Sequence, residues 1–521
     1  MLGRRDPQIK LADVDEWWKA ISPQTVWGRI REWVGQHFRD EDFAAWYSTT
    51  GRPSIPPTYI LTLVLLQFRQ GWSDRQAVEE AQFDDRVKFA LGVSRSPEIT
   101  CDHSTLCKYR ARFLDKDLGR ALLRQTLADA QAAGLLGDAE DLVDSFMVAG
   151  AAARQGTLTL IRQAVRLVLA EMEDAGFPFP ALQRNDYGAR SKPAIDWNDA
   201  GARDGLLQEL VADSRMLSQL FQDRKGLPVS LRQALDLLDM VTEQDITTDD
   251  QGHVTIAQQV AKDRIISVVD SDMRHGRKST SQKFDGYKAH VSSQNQPVGK
   301  GAFVTGVVVT GGNIADGDAA PMVLDDREKN TGSLPENLMG DTSYGSTPVR
   351  AAIAEVAPEI VITAPVPPSP NRKGRFPKNA FAIDLEGRTI TCPAENTVTI
   401  PEQQAATRPG RSQTVTFPVA TCAGCALREQ CVGGSKGPRH VTVATDEAFR
   451  QAERKRQAEP AWLAHYRERS RIEHVNRLLA MRGGRTSRYW GRIKTEFQLV
   501  LVSVTHNIAE LGRMGVLAGS S

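Results

Sequence analysis

The most constraining feature of this chain of 521 residues is where its strand-forming runs fall. One short apolar run, 142–148, stands apart from the others, which are gathered between residues 265 and 363. The stretch 155–260 between them carries amphipathic helical patterns, such as the one from Leu158 to Met172. Strands so far apart in a chain can share one sheet if the helical stretch is an insertion. The sequence therefore predicts an α/β fold with a mixed sheet, interrupted by helices.

The order of elements can be predicted from apolar periodicity and from turn and cap signals. The predicted strands cover 142–148, 265–269, 286–291, 303–310, 338–341 and 360–363. Helices are expected near 317–330, from Thr347-Pro348 onwards, from about 447 to 482, and from Thr495 to Leu511. Helices would then cover both faces of the sheet.

Residues 1 to about 135 carry helical patterns only. Ser73-Asp74-Arg75-Gln76 has the form of a capping box, and Asp102-His103-Ser104-Thr105 predicts a cap for a helix through Phe113. The other face of that helix carries Lys108, Arg110 and Arg112. Short helices with a basic final member are typical of helix-turn-helix DNA-binding domains, although many all-helical packing domains share the pattern.

Basic residues are unevenly distributed, although the net charge is only +1. From Arg450 to Lys494 there are 13 Lys or Arg against four Glu, an excess of +9. Shorter basic clusters occur at 274–278 and 371–375. Local excess of this kind suits a surface that follows a phosphate backbone, and equally a solvated helix face. No apolar run is long enough to cross a bilayer, so a cytoplasmic, nucleoid-associated protein without a membrane step is expected.

Three carboxylates stand at positions where a mixed sheet would bring them together. Asp144 interrupts the first strand, Asp341 lies at the C-terminal end of the strand 338–341, and Glu473 lies in the late helix. Tyr466 and Arg469 precede Glu473 by seven and four residues, which predicts one shared helical face. Phosphoryl transfer with two metal ions needs oxygen ligands that hold two cations about 4 Å apart. Three acids suffice for magnesium, which keeps several of its waters.

These residues resemble a known motif set. Tyr466-x2-Arg469-x3-Glu473, with Gly340-Asp341-x2-Tyr344 and Val143-Asp144-Ser145 before it, is similar to the motifs of DDE transposases from bacterial insertion sequences. Two more segments are similar to that family, 270–288 with its Asp-x-Asp and Phe-Asp-Gly-Tyr-Lys motifs, and 102–106. The resemblance spans roughly residues 40 to 511.

The resemblance implies a ribonuclease-H-like core that cuts DNA at the element ends and joins the freed 3′ hydroxyls to target DNA. It implies Asp144, Asp341 and Glu473 as ligands of two Mg²⁺ ions, with Mn²⁺ as a possible substitute. Tyr466 and Arg469 would position the phosphate or the glutamate. The partners would be double-stranded DNA, with terminal inverted repeats and target, and a second copy of the chain in a homodimer.

The basic residues expected to contact DNA under this interpretation come from the N-terminal helix, the middle motif and the late helical region. They are Lys108, Arg110, Arg112, Arg274, Arg277, Lys278, Lys288, Arg477, Arg482, Arg485 and Arg488. One departure is that Ala480 stands where the family often has a lysine, seven residues after the glutamate. Arg477 or Arg482 would have to take over its phosphate contact.

Other interpretations stay open. A lone Asp in a strand is often a hydrogen-bonding residue, Asp341 could cap its loop, and Glu473 could pair with a neighbouring arginine. Asp316 is the best substitute if Asp341 is not a ligand. The alternative functions are a catalytically silent DNA-binding zinc protein and a ribonuclease-H-like nuclease without strand transfer.

Four of the six cysteines, Cys392, Cys422, Cys425 and Cys431, fall within forty residues. Cys-x2-Cys is the usual chelating step for tetrahedral zinc, and four thiolates close the coordination shell as structural sites do. The segment is poor in apolar runs, so a metal could replace a core. A structural Zn²⁺ is predicted, with free thiols as the alternative. Cys101 and Cys107 are expected to be ordinary buried thiols.

The predicted domain organisation follows from these elements. A helical DNA-binding domain covers 1–135, and the catalytic core covers 136–154 and 261–367. A helical insertion covers 155–260, a zinc-binding insertion covers 368–446, and C-terminal helices over 447–521 complete the core.

Overall fold

The computed structural model describes residues 24–93, 101–259, 261–278, 281–296, 301–369, 374–402, 412–432 and 437–517. The chain divides into two compact units. Unit 1 comprises residues 1–335 and 472–521, and unit 2 comprises residues 336–471. Part of the predicted basic cluster, residues 371–373, lies outside the described residues.

Among the described residues of unit 1, six α-helices precede the first strand. They are α1 Val26–His37, α2 Pro57–Gln70, α3 Asp74–Phe83, α4 Asp85–Leu91, α5 His103–Asp115 and α6 Leu118–Ala132. The predicted capping box at Ser73 and Gln76 is confirmed, with both reciprocal bonds present at the start of α3. The predicted cap of α5 is confirmed too, because Asp102 accepts a 2.8 Å hydrogen bond from the Ser104 amide.

A long strand, β1 Glu140–Ala149, is followed by a helical segment. That segment contains α7 Thr157–Asp174, α8 Ala200–Phe221, α9 Val229–Glu243 and the small hairpin β2 Ile246–Thr248 and β3 Val254–Ile256. These helices enclose their own apolar cluster, which includes Leu160, Leu210 and Leu238. The predicted helical character of this stretch is therefore confirmed.

The sheet of unit 1 is antiparallel and centred on one long strand. Its further strands are β4 Arg274–Arg277, β5 Lys283–Asn295 and β6 Ala302–Gly311, and the helix α10 Ala320–Thr331 follows. Strand β5 pairs with β1 on one side and with β4 and β6 on the other. Asp144 lies opposite Val291 in the β1–β5 register.

The predicted strand at 265–269 is wrong, because this segment joins no sheet. Its backbone is satisfied by glutamine side chains instead. The Ile265 amide donates to Gln244 Oε1 at 2.8 Å, and the Val268 amide donates to Gln155 Oε1 at 3.0 Å. The segment has the apolar composition of a strand, but these amides donate to side chains and not to a neighbouring strand.

Unit 2 contains a parallel strand pair and small antiparallel sheets. The parallel pair, β7 Asn337–Met339 and β8 Val361–Thr363, is joined by α11 Thr347–Val356. The remaining elements of its middle part are β9 Ala382–Asp384, β10 Thr389–Thr391, β11 Thr397–Thr399, β12 Gln413–Thr416, α12 Val419–Ala423, α13 Arg428–Cys431 and β13 His440–Val443. The predicted mixed α/β class is confirmed.

The long helix predicted from 447 to 482 is wrong as a single element. The structure has α14 Glu447–Gln457, α15 Pro460–Tyr466 and α16 Ser470–Leu479, with a 3-10 turn before α16 and a π-type turn after it. Pro460 lacks an amide hydrogen and starts a new helix at its first position. The last helix, α17 Arg492–Arg513, contains the predicted 495–511 helix. In the described part of the chain, no helix is long and apolar enough to cross a membrane.

Candidate active site

Asp144 lies in the middle of β1, on a strand whose preceding residues are fully buried. Leu142 and Val143 are both 0% exposed, whereas Asp144 itself is half-buried. Nδ2 of Asn476 donates a 3.3 Å hydrogen bond to Oδ2 of Asp144. This bond ties β1 to α16, the helix that carries Glu473.

Asn476 is a polar residue that sequence reasoning missed. It is 5% exposed, and its Oδ1 atom is buried without a hydrogen-bond partner among the described residues. A buried unsatisfied oxygen costs about 1–3 kcal/mol, which is unusual unless something else binds there. The available signal was its position three residues after Glu473, because that spacing puts two side chains on one helical face.

Glu473 is exposed on α16, and the opposite face of the helix holds it in place. Ile472, Val475 and Leu479 are at most 3% exposed and pack into the core. Glu473 and Asn476 therefore stand on a helix that is fixed by apolar burial. The structure brings Asn476 to Asp144, and Glu473 lies one turn earlier on the same helix.

Tyr466 and Arg469 lie in unit 2, just before α16. The Tyr466 ring stacks on Trp462 with the ring centroids 4.8 Å apart, and the Arg469 guanidinium lies 6.0 Å from the Tyr466 ring centroid. Tyr466 ends α15, and Arg469 ends the 3-10 turn that follows. The tyrosine and arginine lie close together, but the single helix that was predicted to carry both of them with Glu473 is divided into three elements.

Asp341 lies just after β7 in unit 2, where the sequence predicts it. Its Oδ1 accepts a 2.8 Å hydrogen bond from the Ser343 amide, so one carboxylate oxygen helps to form the turn. The turn packs the ring of Tyr344, which is 1% exposed, against Gly340. A Cβ at Gly340 would lie 2.5 Å from that ring, which explains why glycine precedes the aspartate.

Asp316, the substitute considered for Asp341, is engaged in an ion pair. Lys288 Nζ lies 2.8 Å from Asp316 Oδ1 and also donates to the Ile314 carbonyl at 2.8 Å. This pair ties β5 to the loop after β6. A structural role explains Asp316 without a metal.

The four clustered cysteines line a single small pocket in unit 2. Cys422 is buried, and Cys392, Cys425 and Cys431 are half-buried. Burial raises the pKa of the Cys431 thiol, the Arg439 guanidinium lowers it, and the three other thiols raise it further. The sequence-predicted thiol cluster is thus assembled.

No group of three or more His, Cys, Asp or Glu side chains is arranged as a metal site among the described residues. The predicted magnesium and zinc sites are therefore unconfirmed. Cys101 is buried as expected, but Cys107 is exposed on α5, so the prediction of a second buried thiol is wrong. Its neighbour Leu106 takes the buried position on that helix.

The eleven basic residues predicted to bind DNA fall into two groups. The exposed ones are Lys108, Arg277, Lys278, Arg477 and Arg485. Of these, Arg477 also lies 3.1 Å from Nδ1 of His474. The others are less exposed and contact protein groups. They are Arg110 with Asp74, Arg112 with the Tyr47 ring, Arg274 with Asp263, Lys288 with Asp316, Arg482 with His506 and Arg488 with the Trp72 carbonyl. DNA contact by any of these residues stays a prediction.

Two family models match the chain. One described as "Transposase DDE domain" matches residues 391–512, and one described as "Transposase domain (DUF772)" matches residues 15–112. A search of curated proteins and a search of solved structures found no match. The first model covers Glu473 and the four clustered cysteines, whereas Asp144 and Asp341 lie outside both models. The two matches support an insertion-sequence DDE transposase, as the motifs indicate.

Proposed function

Taking the chain as a DDE transposase, which its two family matches support, we propose the reaction that it catalyses. It binds the terminal inverted repeats of an insertion sequence, cleaves the element ends and joins the 3′ hydroxyls to target DNA. The core is ribonuclease-H-like, and a homodimer bridges the two ends. These steps go beyond the family matches.

One observation carries the proposal, the 3.3 Å hydrogen bond from Asn476 to Asp144. It links a carboxylate on β1 to the helix of Glu473, which lies within the matched DDE segment. Residues 144 and 476 are 332 positions apart, so the contact depends on the fold rather than on local sequence. An acidic pair supported by a rigid strand and a packed helix is the arrangement that metal-assisted phosphoryl transfer needs.

The residues around Asp144 fit a hard divalent cation. The half-buried carboxylate and the unpartnered Oδ1 of Asn476 are oxygen atoms, which Mg²⁺ and Mn²⁺ prefer as ligands or as acceptors from bound water. In the proposal Asp144, Asp341 and Glu473 hold two such ions. When bound, the ions activate the attacking hydroxyl and neutralise charge on the leaving oxygen.

The chain's own side chains hold the DNA in place for this step. Arg469, set over the Tyr466 ring, offers a planar guanidinium to a phosphate. Arg477 is exposed one turn after Glu473, whereas burial lowers the pKa of Arg482, which donates to His506. We therefore assign the phosphate contact missing at Ala480 to Arg477.

The thiol pocket fits a structural Zn²⁺ by its donor set. Cys392, Cys422, Cys425 and Cys431 supply four sulfur ligands, which leave no open position for chemistry. In this proposal the zinc stabilises the middle of unit 2 and takes no part in cleavage.

The test is a cleavage assay with Mg²⁺ on duplexes taken from the DNA that flanks this reading frame. Asp144→Asn, Asp341→Asn and Glu473→Gln should each reduce cleavage by about 10³-fold or more while DNA binding is kept, because each removes one charged ligand. Glu468→Gln is the matched control, since Glu468 is an exposed glutamate that pairs with Arg471. Full cleavage by any of the three variants would remove that residue from the site.

The same assay separates the alternative functions. Binding without cleavage by the unaltered protein would indicate the catalytically silent DNA-binding protein. Cleavage without joined products would indicate the nuclease.

A further inference from the structure

A basic cleft lies in unit 1 where the ends of β4, β5 and β6 meet the segment after β1. It has a volume of about 790 Å³. Its lining includes the cationic side chains of Arg154, Lys262, Arg264, Arg277, Lys283 and Lys288. The sequence-based interpretation included two of these residues, Arg277 and Lys288, and did not include the cleft.

Two of the cations are neutralised by carboxylates beside the cleft. Arg264 Nε donates to buried Asp245 at 2.7 Å, and Lys288 pairs with Asp316 at 2.8 Å. Among the described residues that line the cleft, Asp285 is the only acid. Asp285 accepts a 2.6 Å hydrogen bond from Nδ1 of His275.

The four other cationic side chains of the cleft are exposed to solvent and lie in the same cleft. Lys262, Arg277 and Lys283 form no ion pair with a described carboxylate. The Arg154 side chain is 65% exposed and lies 4.0 Å from Asp285, at the limit of an ion pair. These four cations and the single carboxylate of Asp285 give the cleft a net charge of about +3. This charge would favour the binding of an anion.

The floor of the cleft is preformed, because glycines bring its backbone segments together. A Cβ at Gly276 would lie 2.2 Å from the Phe284 ring, and the Gly312 amide donates to the Gly286 carbonyl at 3.0 Å. Gly286 has a φ of 146°, and a Cβ there would lie 2.3 Å from the Val148 carbonyl oxygen. A rigid floor keeps the cations close together before any ligand binds.

The register of β1 and β5 fixes the distance from Asp144 to the cleft. Lys288 lies opposite Met147, three residues beyond Asp144, and Lys283 precedes Val291, the partner of Asp144, by eight residues. At about 3.3 Å per strand residue, these two cleft residues are about 10 Å and about 26 Å from Asp144. One DNA strand places a phosphate about every 3.4 Å of helix axis, so the cleft is about three to eight nucleotides away.

We propose that this cleft holds the sugar–phosphate backbone of DNA about three to eight nucleotides from the phosphodiester cut at Asp144. Arg154, Lys262, Arg277 and Lys283 are the phosphate ligands. The position along the strand rests on the proposed function, whereas the ligand class rests on the charge and shape of the cleft.

The first test is the salt dependence of binding to duplex DNA. The triple variant Arg154→Gln, Lys262→Gln, Lys283→Gln removes three predicted contacts, so the slope of log K against log salt should fall by about 2.7. The matched control is Arg190→Gln, Lys225→Gln, Arg232→Gln, which removes three exposed charges from the helical segment. Equal slopes for the two triple variants, or no binding by the unaltered protein, would overturn the proposal.

The second test locates the contact along the strand. Single neutral methylphosphonates are introduced along an end duplex, and binding is measured with the unaltered protein and the triple variant. The unaltered protein should lose affinity at phosphates about three to eight nucleotides from the cut, and the triple variant should lose little more there. Equal losses for both proteins at every phosphate would contradict the assigned contacts.

Failure of this inference and failure of the proposed function give different results. If the protein binds DNA with the expected difference in slope but does not cut it, the cleft stands and the cleavage function fails. If it cuts DNA and both triple variants behave alike, only the cleft fails.

Discussion

The region around Asp144 and the thiol pocket of unit 2 are supported in different ways. Leu142 and Val143 on β1 and Ile472 on α16 are all 0% exposed, so a large apolar core holds the polar groups. The thiol pocket rests on a cluster of seven buried residues, one of which is Cys422 itself. The first region can form without a metal, whereas in the second the proposed metal is part of the scaffold.

The largest expected effect concerns the thiol pocket. The double variant Cys422→Ser, Cys425→Ser should lose one bound zinc per chain and make residues 374–446 sensitive to protease, because structural zinc supplies about 10–16 kcal/mol in small domains. Zinc content by mass spectrometry and limited proteolysis measure both outcomes. Cys107→Ser, at the exposed cysteine of α5, should change neither. A zinc-free unaltered protein that resists protease would refute the role of metal here.

The core of unit 1 should instead be sensitive to acid through two buried histidines. Burial lowers the pKa of His290 to about 4 and that of His506 to about 3. His506 donates from Nε2 to the Ala302 carbonyl, and its Nδ1 accepts from Arg482, so the neutral ring fits both contacts. Protonation of His506 at Nδ1 would place an N–H group against the Arg482 guanidinium, so two donors would face each other.

The sign of the pH dependence follows from these lowered pKa values. The unfolded histidines take up protons below about pH 6.5 and the folded ones do not, so stability is full above that pH. Each histidine should cost about 3 kcal/mol of unfolding free energy as pH falls from about 6.5 to 4. Urea denaturation across this range should show a shallower pH slope for His290→Gln, His506→Gln. An unchanged slope would mean that other groups dominate.

A smaller effect is expected at Asn476, which contacts Asp144 without being a proposed metal ligand. Asn476→Ala should reduce cleavage by about 10- to 100-fold, the usual range for residues that orient a metal ligand. The loss should be smaller at high Mg²⁺ concentration, which a purely structural defect would not produce. Asn476→Asp replaces the Nδ2 donor with a second carboxylate beside Asp144, so it should not restore cleavage. Equal losses at all Mg²⁺ concentrations would count against this positioning role.

The smallest expected effect is the loss of one phosphate contact, which distinguishes the role of Arg477 from that of Arg482. Arg477→Gln should weaken DNA binding and reduce the salt slope by about one contact, because its side chain is exposed. Arg482→Gln should lower stability instead, since Arg482 donates to buried His506. The reverse pattern would assign the missing phosphate contact to Arg482.

The parts of the fold predicted correctly were those set by local chemistry. The caps at Ser73 and Asp102, the strand position of Asp144, and the position of Asp341 just after a strand depend on side-chain type and apolar pattern within a few residues. The segment 265–269 was not predictable in the same way, because its hydrogen-bond partners are glutamines elsewhere in the chain.

The sequence indicates candidate acids for the site, but it does not indicate the residues that support them. Asn476 carries no charge and belongs to no motif, so its spacing from Glu473 suggests only a shared helical face, and the contact with Asp144 identifies its role. Arg110 looked like an exposed cation on a basic face, but Asp74 and Gln67 hold it in the core at 6% exposure. Long-range pairs of this kind leave no periodic pattern in a sequence.

In the proposed function, Asp144, Asp341 and Glu473 hold divalent cations. Fe²⁺ bound in place of Mg²⁺, with ascorbate and peroxide, generates hydroxyl radicals that cut the backbone next to the metal, and mass spectrometry maps the cuts. We expect cuts near residues 144, 341 and 473 together, suppressed by excess Mg²⁺ and lost in Asp144→Asn. Cuts near only one of these positions, or an unchanged pattern in the variant, would contradict this proposal.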